Sequence, residues 1–328
     1  MCRISTLVQC RSFRFPSRYQ CFKFSLSSSV LKATMIGSKS IGPNTSTSPQ
    51  LVIVEGNIGV GKSTLACQLA RQLNYRVFLE PTTKNPYLAK FYRDPKKYAL
   101  KLQLWIFNQR FRTYINATKH ILQTGQGVLL DRSVFSDAVF AEVNYQQGTI
   151  SPEGYEYYKD LKKQALKAVL VPHTTLYLDV PPETCNERIR GRGRDYESGI
   201  PLEYLKGLDA SYKTFLNEMR NLGSRVIEYN WTDFGYKFEV AEDIKRGHIS
   251  RWSQEDLGLF NKLVLDESRV KEVLTLDRSV PEAVISEDEE EEPSVTAEAQ
   301  LQIKPKQCTI NKKLKNLTQH SVPPVEEN

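Results

Sequence analysis

Residues Gly56 to Ser63 read GNIGVGKS, a glycine-spaced run that ends on a lysine and a hydroxyl. The apolar run Leu51 to Val54 precedes it, and an apolar-periodic segment opens behind it at Thr64-Leu65-Ala66. Strand, glycine loop and helix in that order make a cradle for a polyphosphate. Gly56, Gly59 and Gly61 let backbone N–H groups turn inward without Cβ clashes, and the helix N-terminus adds partial positive charge. Asn57 and Thr64 belong to the same cradle. Lys62 is placed to reach the β- and γ-phosphates of a bound nucleotide, and Ser63 to offer its hydroxyl to Mg²⁺. A solvated turn would need no such spacing with matching flanks, so ATP or GTP is the expected ligand.

Phosphoryl transfer asks for a metal, cations around the equatorial oxygens and a group to receive the acceptor's proton. Glu80 ends an apolar run just before Pro81, which puts it at the carboxyl edge of a sheet and suits it to act as general base; alone it would read as an exposed strand end. Asp131-Arg132-Ser133 closes another run at the same edge. Asp131 could hold Mg²⁺ directly or through water, and Arg132 could pair with a phosphate or steady Glu80; by itself the pair reads as a structural ion pair. Gln103 and Arg110 stand two turns apart, about 10 Å along one helix face, so both could enter one pocket. A glutamine offers the donor and acceptor edges that a nucleobase needs. Arg188, Arg190, Arg192 and Arg194 alternate with Gly191 and Gly193 after a predicted helix. Glycines weaken a helix, so this stretch is expected to open and close over a transferring phosphoryl group; a basic, solvated helix end is the alternative.

These residues need elements to hold them. Between residues 51 and about 246, short β-branched runs alternate with longer helical patterns, which predicts a parallel sheet covered on both faces. The expected strands are Leu51–Glu55, Arg76–Glu80, Gly127–Asp131, Thr174–Val180 and Ser224–Asn230. The fold class is α/β: a P-loop NTPase-type, five-stranded parallel sheet with an arginine-rich lid. Asp94-Pro95 and Ser151-Pro152 place a capping residue before a proline and read as helix starts, the first helix running to about Gln123. Residues 247–285 read as a helical extension, and 286–328, with its acidic run from Glu287 to Glu292, as a disordered tail.

The formal charge of +7 looks like a nucleic-acid signal until it is located. Residues 1–49 carry seven lysines and arginines, from Arg3 to Lys39, and no acid, which leaves the rest neutral and removes a nucleic-acid footprint. That segment is also serine-rich, the pattern of a transit peptide for the mitochondrial matrix, with Met35 available to start a shorter form. No apolar run is long enough to span a bilayer. Beyond residue 49, Cys67, Cys185 and Cys308 lack CxxC spacing and fit reduced thiols.

Taken together, these motifs resemble the deoxynucleoside kinase family over about residues 51–236. The resemblance is carried by GNIGVGKS, Glu80-Pro81, Gln103 with Arg110, DRSVFSD from Asp131 to Asp137, RIRGRGRDYESGIPLEYL from Arg188 to Leu205, and WTDF ending at Phe234. It implies an ATP- and Mg²⁺-dependent kinase in which Glu80 is the base for the sugar 5′-hydroxyl and Gln103 pairs with the nucleobase. It implies further that Tyr92 and Glu197 hold the 3′-hydroxyl, that Arg188, Arg192 and Arg194 belong to a mobile lid, and that Asp233 and Phe234 contact the adenine of ATP. Arg110 with Asp137 accompanies purine or cytosine acceptors in the family, so deoxyadenosine or deoxyguanosine is the expected substrate. One departure stands out: many members carry a base-stacking phenylalanine four residues after that aspartate, where this chain has Ala141, with Phe140 one step earlier. A homodimer is the family's expectation.

A second resemblance, carried by TGQGVLLDRSVFSDAVFAEVNYQQG, PHTTLYLDVP and EVAEDI, is to the 42-kDa accessory subunit of mitochondrial respiratory complex I, a member of the same superfamily. It implies complex I subunits as partners and a structural role. The retention of Lys62, Ser63, Glu80 and the lid arginines is what such a role does not require. A nucleoside monophosphate kinase would share the glycine loop, but GIPLEYL and DRS match nucleoside acceptors.

Overall fold

The computed structural model describes residues 49–80, 85–194, 197, 199–247 and 251–265. The expected transit peptide, Pro81, three residues of the lid run (Asp195, Tyr196 and Ser198), the extension past Leu265 and the acidic tail lie outside them.

Strands β1 (Leu51–Gly56), β2 (Arg76–Phe78), β3 (Val128–Asp131), β4 (Thr174–Asp179) and β5 (Arg225–Asn230) form one sheet in the order β2-β3-β1-β4-β5, and every pairing is parallel. All six residues of β1 are buried, as a central strand covered on both faces requires. Its neighbours β3 and β4 leave on opposite sides, so a crevice opens beyond its carboxyl end, where α/β sheets place their ligands. The glycine loop sits at that point.

Nine helices complete the described residues. Helix α1 (Lys62–Leu73) follows the loop, and α2 (Leu88–Arg93) and α3 (Pro95–Thr124) come between β2 and β3. Next are α4 (Asp137–Gln146) and α5 (Pro152–Leu166), then α6 (Pro182–Arg192) and α7 (Leu202–Asn221) on either side of the lid run, and finally α8 (Lys237–Arg246) and α9 (Gln254–Leu265). The two proline-marked starts are capped as their chemistry dictates. The Asp94 side chain accepts from Lys97 N at 3.2 Å, and Ser151 Oγ accepts from Gly154 N at 3.0 Å. Helix α3 stops where Gly125 takes a left-handed φ of 68°, which only glycine adopts at no steric cost.

Two expectations shift. Strand β2 ends at Phe78, paired with Leu130, so Glu80 has left the ladder and is free to turn toward α3. The arginine run does not follow a helix: α6 continues through Arg188, Arg190 and Arg192, and stops at Gly193 with φ 64°. Gly191 costs that helix about 1 kcal/mol relative to alanine, too little to break it. Cys185 is a buried free thiol, as expected for it. Beyond α8, Trp252 Nε1 donates to Val171 O at 2.7 Å and its ring lies 4.2 Å from that of His173, fastening α9 to the amino-terminal side of β4.

Candidate active site

At the carboxyl end of β1 the chain must turn back sharply. Gly56 has φ +142°, and a Cβ there would lie 2.8 Å from Leu178 O; one on Gly59, at φ +87°, would lie 2.9 Å from Cys185 O. Both positions therefore exclude side chains. Asn57 is buried and ties the loop down: its Nδ2 donates to Leu205 O at 2.8 Å, and its Oδ1 accepts from Ile58 N at 2.8 Å. Lys62 Nζ donates to Gly56 O at 3.1 Å and Asn57 O at 2.6 Å, so the ammonium lies over the loop. Burial, reinforced by Arg132, pulls its pKa down to about 7. Thr64 is exposed on the first turn of α1.

Ser63 Oγ donates to Asp131 Oδ2 at the end of β3. The other carboxylate oxygen, Oδ1, is buried without a hydrogen-bond partner, and burial raises the Asp131 pKa against the pull of Lys62. An orphaned buried carboxylate oxygen beside a hydroxyl is a set of hard oxygen donors, and it fits Mg²⁺.

Glu80 meets α3. Its Oε1 accepts from Arg110 Nε at 2.9 Å and NH2 at 2.6 Å, and Oε2 faces Arg132 Nε at 3.6 Å. Burial pushes this carboxyl up, but Arg110 and Arg132 outweigh it and hold the pKa below the ordinary glutamate value, so Glu80 is a carboxylate at neutral pH. One turn of α4 supplies the next partner: Arg110 NH1 donates to Asp137 Oδ1 at 2.7 Å. Gln103 Nε2 donates to Asp137 Oδ2 at 2.6 Å and to its backbone O at 3.1 Å, and Tyr158 of α5 donates to Oδ2 at 2.8 Å. The Gln103 amide nitrogen is thus committed to Asp137, and its carbonyl oxygen is the group left for a ligand.

One cleft is lined by Lys62, Ser63, Glu80, Tyr92, Gln103, Arg110, Asp131, Arg132, Arg192, Arg194 and Glu197. Residues spread over more than a hundred positions converge there. Glu197 is gripped by Arg192 NH2 at 2.5 Å and Arg194 NH1 at 3.0 Å, so two of the run's arginines are held in the cleft wall. Arg188 does not join them. Its NH2 donates to Trp231 O at 3.2 Å and Thr232 O at 2.5 Å, and its guanidinium lies 3.9 Å from the Phe234 ring centroid. That ring would stand 3.3 Å from a Cβ on Gly61, which sets Arg188, Phe234 and the exposed Asp233 beside the outer wall of the glycine loop.

Sequence reasoning noticed one further participant without giving it a role, and missed others. Phe140, not residue 141, lines the cleft: its ring centroid lies 5.2 Å from the Arg110 guanidinium and 4.7 Å from that of Arg132, while Ala141 is wholly buried in the core. Glu55, the last residue of β1 before the glycines, is fully buried; Oε1 accepts from Ser133 Oγ at 2.9 Å and Oε2 has no hydrogen-bond partner. Burial raises its pKa, with Arg132 opposing. An acid closing an otherwise apolar strand was the available signal. Tyr212, which accepts from Arg132 NH1, gives none, being 80 residues away.

A family model described as deoxynucleoside kinase matches residues 52–250. The chain is 46% identical over 212 residues to deoxyguanosine kinase of Dictyostelium discoideum, covering 65% of this chain and 74% of that protein. It is 32% identical over 280 residues to the mitochondrial NADH dehydrogenase (ubiquinone) 1 alpha subcomplex subunit 10 of Bos taurus, covering 77% of this chain and 81% of that one. A solved structure of deoxyadenosine kinase from M. mycoides with bound dCTP superposes with a TM-score of 0.52 at 27% identity, over 58% of this chain and 96% of the other.

Proposed function

The chain belongs to the deoxynucleoside kinase family, and on that premise we propose that it transfers the γ-phosphoryl group of ATP to the 5′-hydroxyl of a deoxynucleoside, a purine for preference. The observation that carries this reading is the meeting of Glu80, Arg110 and Arg132 in the cleft that Lys62 and Ser63 also line. The 5′ oxygen forms its bond to the γ-phosphorus as the bond to the β–γ bridging oxygen breaks. ADP keeps that electron pair, and Glu80 takes the hydroxyl proton. Lys62, Arg192 and Arg194 neutralise charge on the transferring group, and Arg132 steadies Glu80. Mg²⁺ would be held by Ser63 and Asp131 and, when bound, would supply charge neutralisation at the phosphates.

Gln103, Arg110 and Asp137 are assigned to the acceptor base, Tyr92 and Glu197 to the sugar 3′-hydroxyl, and Arg188, Asp233 and Phe234 to the adenine of ATP. The likeness to a deoxyguanosine kinase supports a purine, and the Arg110–Asp137 pair at 2.7 Å suits a purine or a cytosine. We assign the catalytic domain to residues 50–246, a helical extension to 247–285 and tails to 1–49 and 286–328. The acid-free amino-terminal segment supports import into the mitochondrial matrix, and a homodimer is part of the same proposal. No described helix is long and apolar enough to cross a membrane.

A second reading, an accessory subunit of respiratory complex I, is favoured by one observation: likeness to the bovine subunit runs over 280 residues, against 212 for the deoxyguanosine kinase. An assay with radiolabelled ATP against the four deoxynucleosides separates the two. The kinase reading expects monophosphate from deoxyguanosine or deoxyadenosine and its loss in Lys62→Ala; no turnover, with Lys62→Ala indistinguishable from the parent, rejects it.

A further inference from the structure

Arg132 is held more firmly than an arginine that merely faces phosphate needs to be. Its backbone sits at φ 65°, in the left-handed region where a side chain is strained, and such strain persists where the surroundings over-determine it. The turn sends a buried guanidinium inward from the end of β3. There NH1 donates to the Tyr212 hydroxyl, Nε faces Glu80 Oε2 at 3.6 Å, and the Phe140 ring centroid lies 4.7 Å from the guanidinium carbon. Tyr212 has no room to shift: it is unexposed, its ring centroid is 5.4 Å from that of Tyr177, and it stands edge-on to Phe215 at 6.0 Å. Burial pushes its phenol pKa well up, so the oxygen is a neutral, fixed acceptor.

We infer that Tyr212 is a positioning residue for phosphoryl transfer: from the middle of α7 it pins the Arg132 guanidinium so that Nε stays turned to Glu80, and so sets the direction in which Glu80 presents its carboxylate. A guanidinium carries its N–H groups in a rigid planar fork, so fixing NH1 fixes where Nε points. The same helix accepts the Asn57 side chain at Leu205 O. One rod thus holds the phosphate loop and the base in common register. The inference rests on the kinase reading above and adds a residue that does not touch substrate.

Tyr212→Phe removes one oxygen and keeps the packed ring, and thermal melting checks that the fold is retained. The expected result is a fall in kcat of about tenfold or more, as for loss of a hydrogen bond to a charged group. KM for both substrates should stay within about twofold of the parent, since binding contacts are untouched. Arg132→Lys should lose more, and the double variant should be no slower than Arg132→Lys alone, because a residue acting through Arg132 then has nothing left to place. A parental kcat in Tyr212→Phe, or a double variant whose loss is the product of the two single losses, overturns the inference and leaves the kinase reading standing. A parent chain that phosphorylates no deoxynucleoside removes both, and is recognised by that result alone.

Discussion

At the scale of single residues, the site is built from charges taken out of water and then compensated. Lys62 shows the cost most plainly: buried over its own loop carbonyls, it has a pKa pulled down to about 7. A triphosphate would restore the charge by supplying negative oxygens in its place. At pH 8 the free chain holds Lys62 mostly neutral, so ATP binding should take up most of one proton, and the uptake should vanish near pH 6, where the lysine is already charged. Calorimetric titration in two buffers of different ionisation enthalpy measures this; binding at pH 8 with no uptake contradicts it. Lys62, Ser63, Glu80 and Asp131 were legible in the sequence because motif spacing and strand ends mark them. Phe140 was not, because residues three and four beyond Asp137 lie on neighbouring parts of one helix face, and only packing chooses between them. Tyr212 and Tyr158 were not, because a hydrogen bond across 80 or 21 residues leaves no local pattern.

At the scale of elements, the alternation of apolar strands with amphipathic helices gave the parallel sheet, and the Asp-Pro and Ser-Pro starts gave two helix ends to the residue. Those signals are local, so they survive without tertiary information. The arginine run was misjudged for the opposite reason. Its two glycines suggested a break, yet Gly191 sits inside α6 and only Gly193 ends it. The fastening of α9 was likewise invisible, since it depends on Trp252 meeting His173. His173 Nδ1 accepts from Leu51 N at 2.9 Å, and burial holds its pKa down to about 4. A histidine whose folded pKa is depressed stabilises the fold above its unfolded value of about 6.5, and that stability is lost as pH falls toward 4. The melting temperature of the parent should therefore drop between those two values. In His173→Asn, which keeps an acceptor and does not titrate, the drop should be visibly shallower; equal slopes would show that this contact does not govern the acid limb.

At the scale of the whole molecule, the sheet brings Glu80 from beyond β2, Asp131 from the end of β3 and Arg132 just past it, the loop from β1, and Arg192 and Arg194 from the end of the helix after β4 and just past it to one edge. No single element carries the chemistry. On the proposed kinase reading, this convergence makes Glu80 the proton acceptor for a hydroxyl that attacks a bound triphosphate. Single-turnover phosphorylation of deoxyguanosine by Glu80→Gln, mixed with MgATP already bound, tests it most directly, because glutamine keeps the shape and loses the base. The transfer step should slow by about 10²- to 10⁴-fold, with ATP affinity retained. Transfer at the parental rate would rule out Glu80 as the base.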